Sequence, residues 1–410
     1  MRGLVLMAGG ARGAYQAGVL KRISELASLR GGPSPFAIVA GASAGAINGT
    51  MLAAHSADFV EGTALMAQLW SELEVAHVFR TDAASLTVGG LRWLRDLSLG
   101  GLVSAGPGAR SLLDATPLRE LIARAVPFAR IADAIRRGNL YATAVSATSY
   151  HSGRSFTFVQ GRPGHPVWSR SRRVVLPVEL GVDHVCASAA IPIVFPPVAL
   201  DCGTGELFFG DGALRQVAPF SPAIRLGATR VLAIGIRSQC STEPISPAEA
   251  LAGERALGPG DVSAPPPLAQ ICGILLNAVF LDHLDTDYDH LKRMNELILA
   301  YDGDRTPLPG RTAAPAVAEP MRIVTPLVIS PSEDLAVVAK MHAHKMPRLI
   351  RHLLDGLGTP EAQSADLISY LLFDGAYTQA LIDIGYRDAD ARHEEIEAFL
   401  CTGAADDAAA

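Results

Sequence analysis

The chain has 410 residues, 49% hydrophobic and 19% charged, which excludes a disordered polymer and leaves enough apolar surface for a large core. Thirty-five Lys and Arg against 41 Asp and Glu give a formal net charge of −6, so no global positive field is available and no nucleic-acid partner is expected. The five cysteines (Cys186, Cys202, Cys240, Cys272, Cys401) stand singly, which argues against a disulfide framework or a cysteine-rich zinc site and makes a cytoplasmic compartment the expectation.

In chain order, residues 3–8 (GLVLMA) read as a short buried strand closed by the glycine turn Gly9-Gly10-Ala11-Arg12-Gly13. That first apolar run stops at residue 8, too early for a signal peptide, and no later run reaches the roughly 18 residues of a membrane span. From Ala14 to Leu29 the residues Ala17, Leu20, Ile23, Leu26 and Leu29 mark the apolar stripe of a helix, which Gly31-Gly32-Pro33 ends. Phe36–Ala40 is a second continuous apolar strand, and it runs through Gly41-Ala42-Ser43-Ala44-Gly45 into a second helix. Two successive strand–turn–helix units predict a parallel sheet covered by helices.

Farther on, Leu140–Ala147 and Ser155–Gln160 read as strands around the turn His151-Ser152-Gly153-Arg154. Glu206–Phe209 is a short strand leading into Gly210-Asp211-Gly212-Ala213, followed by strands at Arg230–Ile236 and Arg322–Ile329. Residues 238–267 and 302–320 are rich in Pro, Gly, Ser and Ala and read as surface loops. From Asp334 to Leu400 the pattern is mostly helical, and residues 401–410 form a low-complexity tail.

Gly41 to Gly45 matches Gly-x-Ser-x-Gly. Its place between a buried strand and a helix is where a sharp turn exposes a nucleophilic hydroxyl. The other reading of Ser43 is a helix N-cap that satisfies a backbone amide. In a parallel sheet the ends of like-directed strands share one edge, so the Gly9–Gly13 turn can lie beside Ser43, with its amides offered to an oxyanion or a phosphate. A dinucleotide fingerprint fits poorly, because Ala8 stands at its first glycine and no acidic residue ends the second strand. Only two strands precede Ser43, which argues against an α/β-hydrolase. Asp211 at a strand end is either a base facing Ser43 or the side chain of an Asp-Gly turn.

Taken together, these motifs resemble the patatin-like phospholipase family, bacterial branch. The likeness rests on Gly9-Gly10-Ala11-Arg12-Gly13, Gly41-Ala42-Ser43-Ala44-Gly45 and Asp211-Gly212-Ala213 in that order. Asp114-Ala115-Thr116-Pro117-Leu118, Ala187-Ser188-Ala189-Ala190-Ile191-Pro192 and Phe195-Pro196-Pro197 add to it, as do Pro219 and Leu226-Gly227-Ala228. The resemblance implies a three-layer α/β/α fold with a mostly parallel central sheet. It implies an acyl hydrolase domain over residues 1–330, with a helical extension over 331–400.

It further implies a serine esterase that needs no metal or cofactor and hydrolyses lipid esters, phospholipid or lysophospholipid. Ser43 would be the nucleophile and Asp211 the base. The amides of Gly9 and Gly10 would form the oxyanion hole, with Ala11 and Arg12 adjacent, and Gly13, Gly41, Gly45, Gly212 and Ala213 would complete the motifs. Ala8 departs from the family's first glycine, so a local difference in backbone angles is expected there. Two other readings stay open: an esterase or acyltransferase on other acyl esters, and a non-catalytic lipid-binding or interaction module.

Two side-chain groups draw weaker expectations. Asp282, His283, Asp285, Asp287, Asp289 and His290 look like a metal-binding run, but on a helix they point around the circumference and a solvated face is expected. Arg154, Arg162, Arg170, Arg172 and Arg173 are compatible with peripheral contact at an anionic inner-membrane surface, though solvated loop charge is the commoner reason for such a group. Ala189–Leu200 holds three prolines and reads equally as an acyl channel wall or as core.

Overall fold

The computed structural model describes residues 1–29, 31–80, 113–170, 172–203, 205–238, 283–301, 322–346 and 365–401. Apart from residues 238 and 401, the two expected loops and the tail lie outside them, as do Cys240, Cys272 and Asp282.

The chain opens with β1 (Arg2–Leu6), α1 (Gly13–Ser24), β2 (Ile38–Ala42), α2 (Ala44–Ala54) and α3 (Phe59–Ser71). All of β2, and β1 beyond Arg2, is buried, as continuous apolar runs between two helical layers must be. The first helix is shorter than its apolar stripe: it stops at Ser24, and Ala27–Leu29 form a single 3₁₀ turn. Helices α4 (Thr116–Ala125) and α5 (Ala129–Arg137) lead to the hairpin of β3 (Ala142–Ser149) and β4 (Ser155–Gly161).

Next come β5 (Ser169–Arg170), β6 (Arg173–Pro177), α6 (Val182–Ser188), β7 (Val198–Asp201), β8 (Glu206–Gly210), α7 (Ser221–Arg225) and β9 (Arg230–Ile234). The last described elements are α8 (His283–Tyr301), β10 (Thr325–Ile329), α9 (Leu335–His342), α10 (Ala365–Leu371), α11 (Gly375–Ala391) and α12 (His393–Cys401).

The strands form one sheet in the order β10-β9-β1-β2-β3-β4-β6-β5, with β7 and β8 off this path. From β10 to β3 every pairing is parallel, whereas β4 returns antiparallel to β3. Helices cover both faces, giving the three-layer α/β/α architecture. Strands β5 and β7 were not evident from the sequence, since two and four residues are too few to show a period, and β6 was not read from it either. Helix α11 lies against α1, where Gly18 and Gly385 let the backbones approach. A β-carbon on Gly18 would sit 2.0 Å from the Ile382 carbonyl oxygen, and one on Gly385 would sit 2.2 Å from that of Tyr15.

Register brings the three motifs together. Leu6 pairs with Gly41, so the chains leaving β1 and β2 emerge side by side at one sheet edge. Ala42 pairs with Ser146 on β3, and Thr148 pairs with Gly210 on the antiparallel β8. Two further steps along that antiparallel course carry Gly212 back to Ser146, beside Ala42. A β-carbon at Gly212 would lie 2.1 Å from the Ser146 carbonyl oxygen and 3.2 Å from Ala42 Cβ.

Candidate active site

Ser43 sits between β2 and α2 with φ 54° and ψ −123°, one of only two non-glycine residues with positive φ among those described. Such a conformation costs on the order of 1–3 kcal/mol and persists only where the surroundings over-determine it. Here they do. A β-carbon on Gly41 would lie 2.1 Å from the Gly45 carbonyl oxygen, and one on Gly45 would lie 2.1 Å from that of Leu6. The Ser43 amide donates to Ser188 Oγ at 2.9 Å, and Ser188 in turn donates to the Ser146 carbonyl at 2.6 Å. The Ser43 side chain makes no cap hydrogen bond to α2, so the N-cap reading does not describe what its hydroxyl does.

The glycine turn meets Ser43 across an apolar cavity whose wall includes both Gly10 and Ser43. Gly10 adopts φ +53°, whereas Gly9 is extended at φ 178°. Among the described residues neither the Gly9 nor the Gly10 amide donates to a backbone carbonyl. Ala8 is not among the positive-φ residues, so its β-carbon meets no left-handed strain there and the departure from glycine is accommodated. Ala11 and Arg12 are buried, and Gly13 packs so tightly that a β-carbon would lie 2.6 Å from Ala44 Cβ.

Asp211 follows β8 and is wholly buried. Its amide donates to the Ala190 carbonyl at 2.9 Å, and its carbonyl accepts from Thr148 Oγ1 at 2.9 Å. Carboxylate Oδ1 accepts from the Ala213 amide at 2.9 Å, which is the Asp-Gly turn read from the sequence. Oδ2 has no partner at full hydrogen-bond geometry, although the Ser43 hydroxyl is near enough to pull the acid's pKa down. One oxygen therefore serves the turn and the other is uncommitted. Catalytic hydrogen bonds are often long or poorly aligned in unliganded sites and tighten when substrate arrives.

A family model for patatin-like phospholipases matches residues 4–224, over half of the chain, and spans the turn, the elbow and Asp211. The chain belongs to the patatin-like phospholipase family. Lipid acyl hydrolysis is the general chemistry of that family. Solved structures similar to the chain include VipD from Legionella pneumophila, at 14% identity and a TM-score of 0.30. That alignment covers 93% of this chain and 66% of VipD. No curated protein sequence matches the chain.

Within this patatin-like domain the electrostatics of the acid are strongly perturbed. Burial raises the Asp211 pKa from its ordinary 3.8 to about 7, opposed by the Ala213 amide and the Ser43 hydroxyl. Tyr150 stands outside Gly210, where a β-carbon would lie 2.2 Å from its hydroxyl. Burial and the charge of Asp211 together raise the phenol's own pKa.

The cavity wall is assembled from distant segments: Leu69, Trp70 and Leu73 from around α3, Leu118, Leu121 and Ile122 from α4, and Ala189, Ile191 and Phe195 from after α6. The proline-rich stretch after residue 189 is thus both cavity wall and core.

Several supporting residues escaped the sequence reading. Asn48 on α2 accepts from Trp70 Nε1 at 2.7 Å and donates to the Gly13 carbonyl and to Gln16 Oε1, both at 3.0 Å. Gln16 donates to the Met7 carbonyl at 2.7 Å. This buried network clasps both ends of the glycine turn to the cavity wall. Its one signal in the sequence is polar residues inside apolar helices. Ser188 stood in a motif that resembled the family's, but nothing local pointed to its bond with Ser43.

Among the described residues no group of three or more His, Cys, Asp and Glu is placed to hold a metal ion. In the acidic run on α8, Asp287 Oδ2 accepts from the Phe220 amide at 3.0 Å. Among the described residues no helix is long and apolar enough to cross a membrane.

Proposed function

We propose that the chain is a serine acyl hydrolase that cleaves lipid esters, phospholipid or lysophospholipid, through a Ser43–Asp211 dyad. The observation that carries this reading is a strained serine in the wall of an apolar cavity, beside a buried carboxyl with one uncommitted oxygen. An acyl chain occupying the cavity brings its ester carbonyl to Ser43. Asp211 Oδ2 takes the hydroxyl proton as Oγ bonds to the carbonyl carbon. The carbonyl electron pair moves to oxygen, where the Gly9 and Gly10 amides stabilise it, together with the positive N-terminal end of α2. Collapse of this intermediate expels the alcohol, which leaves with the proton held by Asp211. Water, deprotonated by the same carboxylate, then releases the fatty acid.

Only the ionised carboxylate can start this sequence, and a pKa near 7 leaves Asp211 able to take and return a proton at neutral pH. Contact with a membrane surface belongs to the same reading, because a bilayer lipid must transfer its chain into the cavity.

The test is hydrolysis of ester series of increasing acyl length by wild type, Ser43→Ala and Asp211→Asn. Loss of turnover in both folded variants supports the dyad. A wild type inert on every ester, or Ser43→Ala turning over at the wild-type rate, refutes it.

A further inference from the structure

A glycine turn with a left-handed residue has no stiffness of its own, yet oxyanion donors act only when held on target. Much of what holds this one lies far beyond the residues matched by the family model. The Arg12 side chain is buried and turns toward α10, where Nε donates to Ser369 Oγ at 2.8 Å. Its guanidinium carbon stands 4.5 Å from the centre of the Tyr370 ring. The Tyr370 carbonyl oxygen lies so near Gly10 that a β-carbon there would be 2.3 Å away, so the backbones touch.

Two residues after α10, Phe373 lines the cavity shared by Ser43 and Gly10 and meets Phe79 edge-on at 6.3 Å. The segment is anchored in turn. Tyr377 donates to the Ser369 and Leu335 carbonyls at 3.4 and 3.3 Å, and Asp374 caps α11 through the Ala376 amide at 3.1 Å.

We infer that residues 369–373 complete the acyl site: Ser369 and Tyr370 are positioning residues that fix the glycine turn through Arg12 and Gly10, and Phe373 is a specificity residue for the acyl chain. This rests on the proposed hydrolase reading. In it Arg12 is a strut rather than a charge offered to substrate. Its planar guanidinium suits that role, since it stacks on a ring and donates sideways at the same time.

The test uses the full chain and the variants Ser369→Ala, Arg12→Lys, their double variant, Tyr370→Leu and Phe373→Ala. Turnover of acetyl and long-chain p-nitrophenyl esters is measured beside the rate at which a fluorophosphonate labels Ser43, whose phosphoryl oxygen occupies the same amides. Lysine at position 12 keeps the charge and loses the stacked, Nε-donating plane. Ser369→Ala, Arg12→Lys and Tyr370→Leu are expected to lower kcat and the labelling rate roughly tenfold on both esters while KM holds. The double variant is expected to be no worse than the weaker single, because both changes break one strut. Phe373→Ala is expected to raise KM for the long ester more than for the acetyl ester.

Wild-type kcat and labelling in Ser369→Ala and Arg12→Lys would overturn the inference while leaving a Ser43-dependent hydrolase standing. So would defects confined to KM. An inert wild type whose Ser43 resists the fluorophosphonate would overturn the hydrolase reading and this inference with it.

Discussion

Replacing Asp211 by Asn should stabilise the fold while stopping the reaction. The carboxyl is fully buried, and its pKa is raised from 3.8 to about 7 chiefly because burial penalises its charge. A group whose folded pKa lies above its unfolded value binds more protons in the folded state, so stability falls as pH rises between the two values. At about 1.4 kcal/mol per pH unit, the burden is roughly 1–2 kcal/mol at pH 5 and about 4 kcal/mol at pH 8.

Asparagine is never charged, keeps an acceptor for the Ala213 amide and presents an NH₂ group where Oδ2 stood. The urea midpoint of Asp211→Asn should therefore exceed that of wild type, by a gap that widens by about 2–3 kcal/mol between pH 5 and pH 8. The assay is urea denaturation of both proteins at unit pH steps. A gap that stays constant from pH 5 to pH 8 would refute a folded carboxyl that titrates near neutrality, and with it the electrostatic part of the mechanism.

The wild-type kcat/KM for esters should rise with pH along a limb centred near 7, as Asp211 ionises; Tyr150→Ala, which opens the acid to water, should move that limb down, while Tyr150→Phe leaves it in place. Ser188→Ala strips the Ser43 amide and the Ser146 carbonyl of a buried partner, so a stability loss of about 1–3 kcal/mol should accompany a fall in kcat, read by urea titration and ester turnover. Asn48→Ala leaves Trp70 Nε1 and the Gly13 carbonyl without their shared partner and should cost about 2–4 kcal/mol in the same titration. Leu121→Trp places bulk in the half-buried part of the cavity wall and should shift the preferred ester to shorter acyl chains.

Much of the fold is written locally. Continuous apolar runs at β1 and β2, each closed by glycines and followed by a helical stripe, state a parallel sheet without any long-range knowledge. The same locality made the elbow at Ser43 legible, since Gly41 and Gly45 leave the strained serine its space. Helix ends and short strands were less legible. The apolar stripe runs to Leu29, but the helix stops at Ser24, and β5 and β7 are too brief to carry a pattern.

What the sequence by itself determined is therefore the layered fold and the candidates Ser43, Asp211 and the glycine turn, because strand, turn and helix preferences act over a few neighbouring residues. Tertiary structure alone decided how those candidates are equipped. The Ser188 bond to Ser43 spans 145 residues and the Arg12 bond to Ser369 spans 357. The cavity draws its wall from segments between Gly10 and Phe373. The raised pKa of Asp211 likewise follows from burial by many parts of the chain at once. Hydrogen-bond reach, cavity shape and desolvation depend on distance in space, and no spacing along the chain encodes that distance.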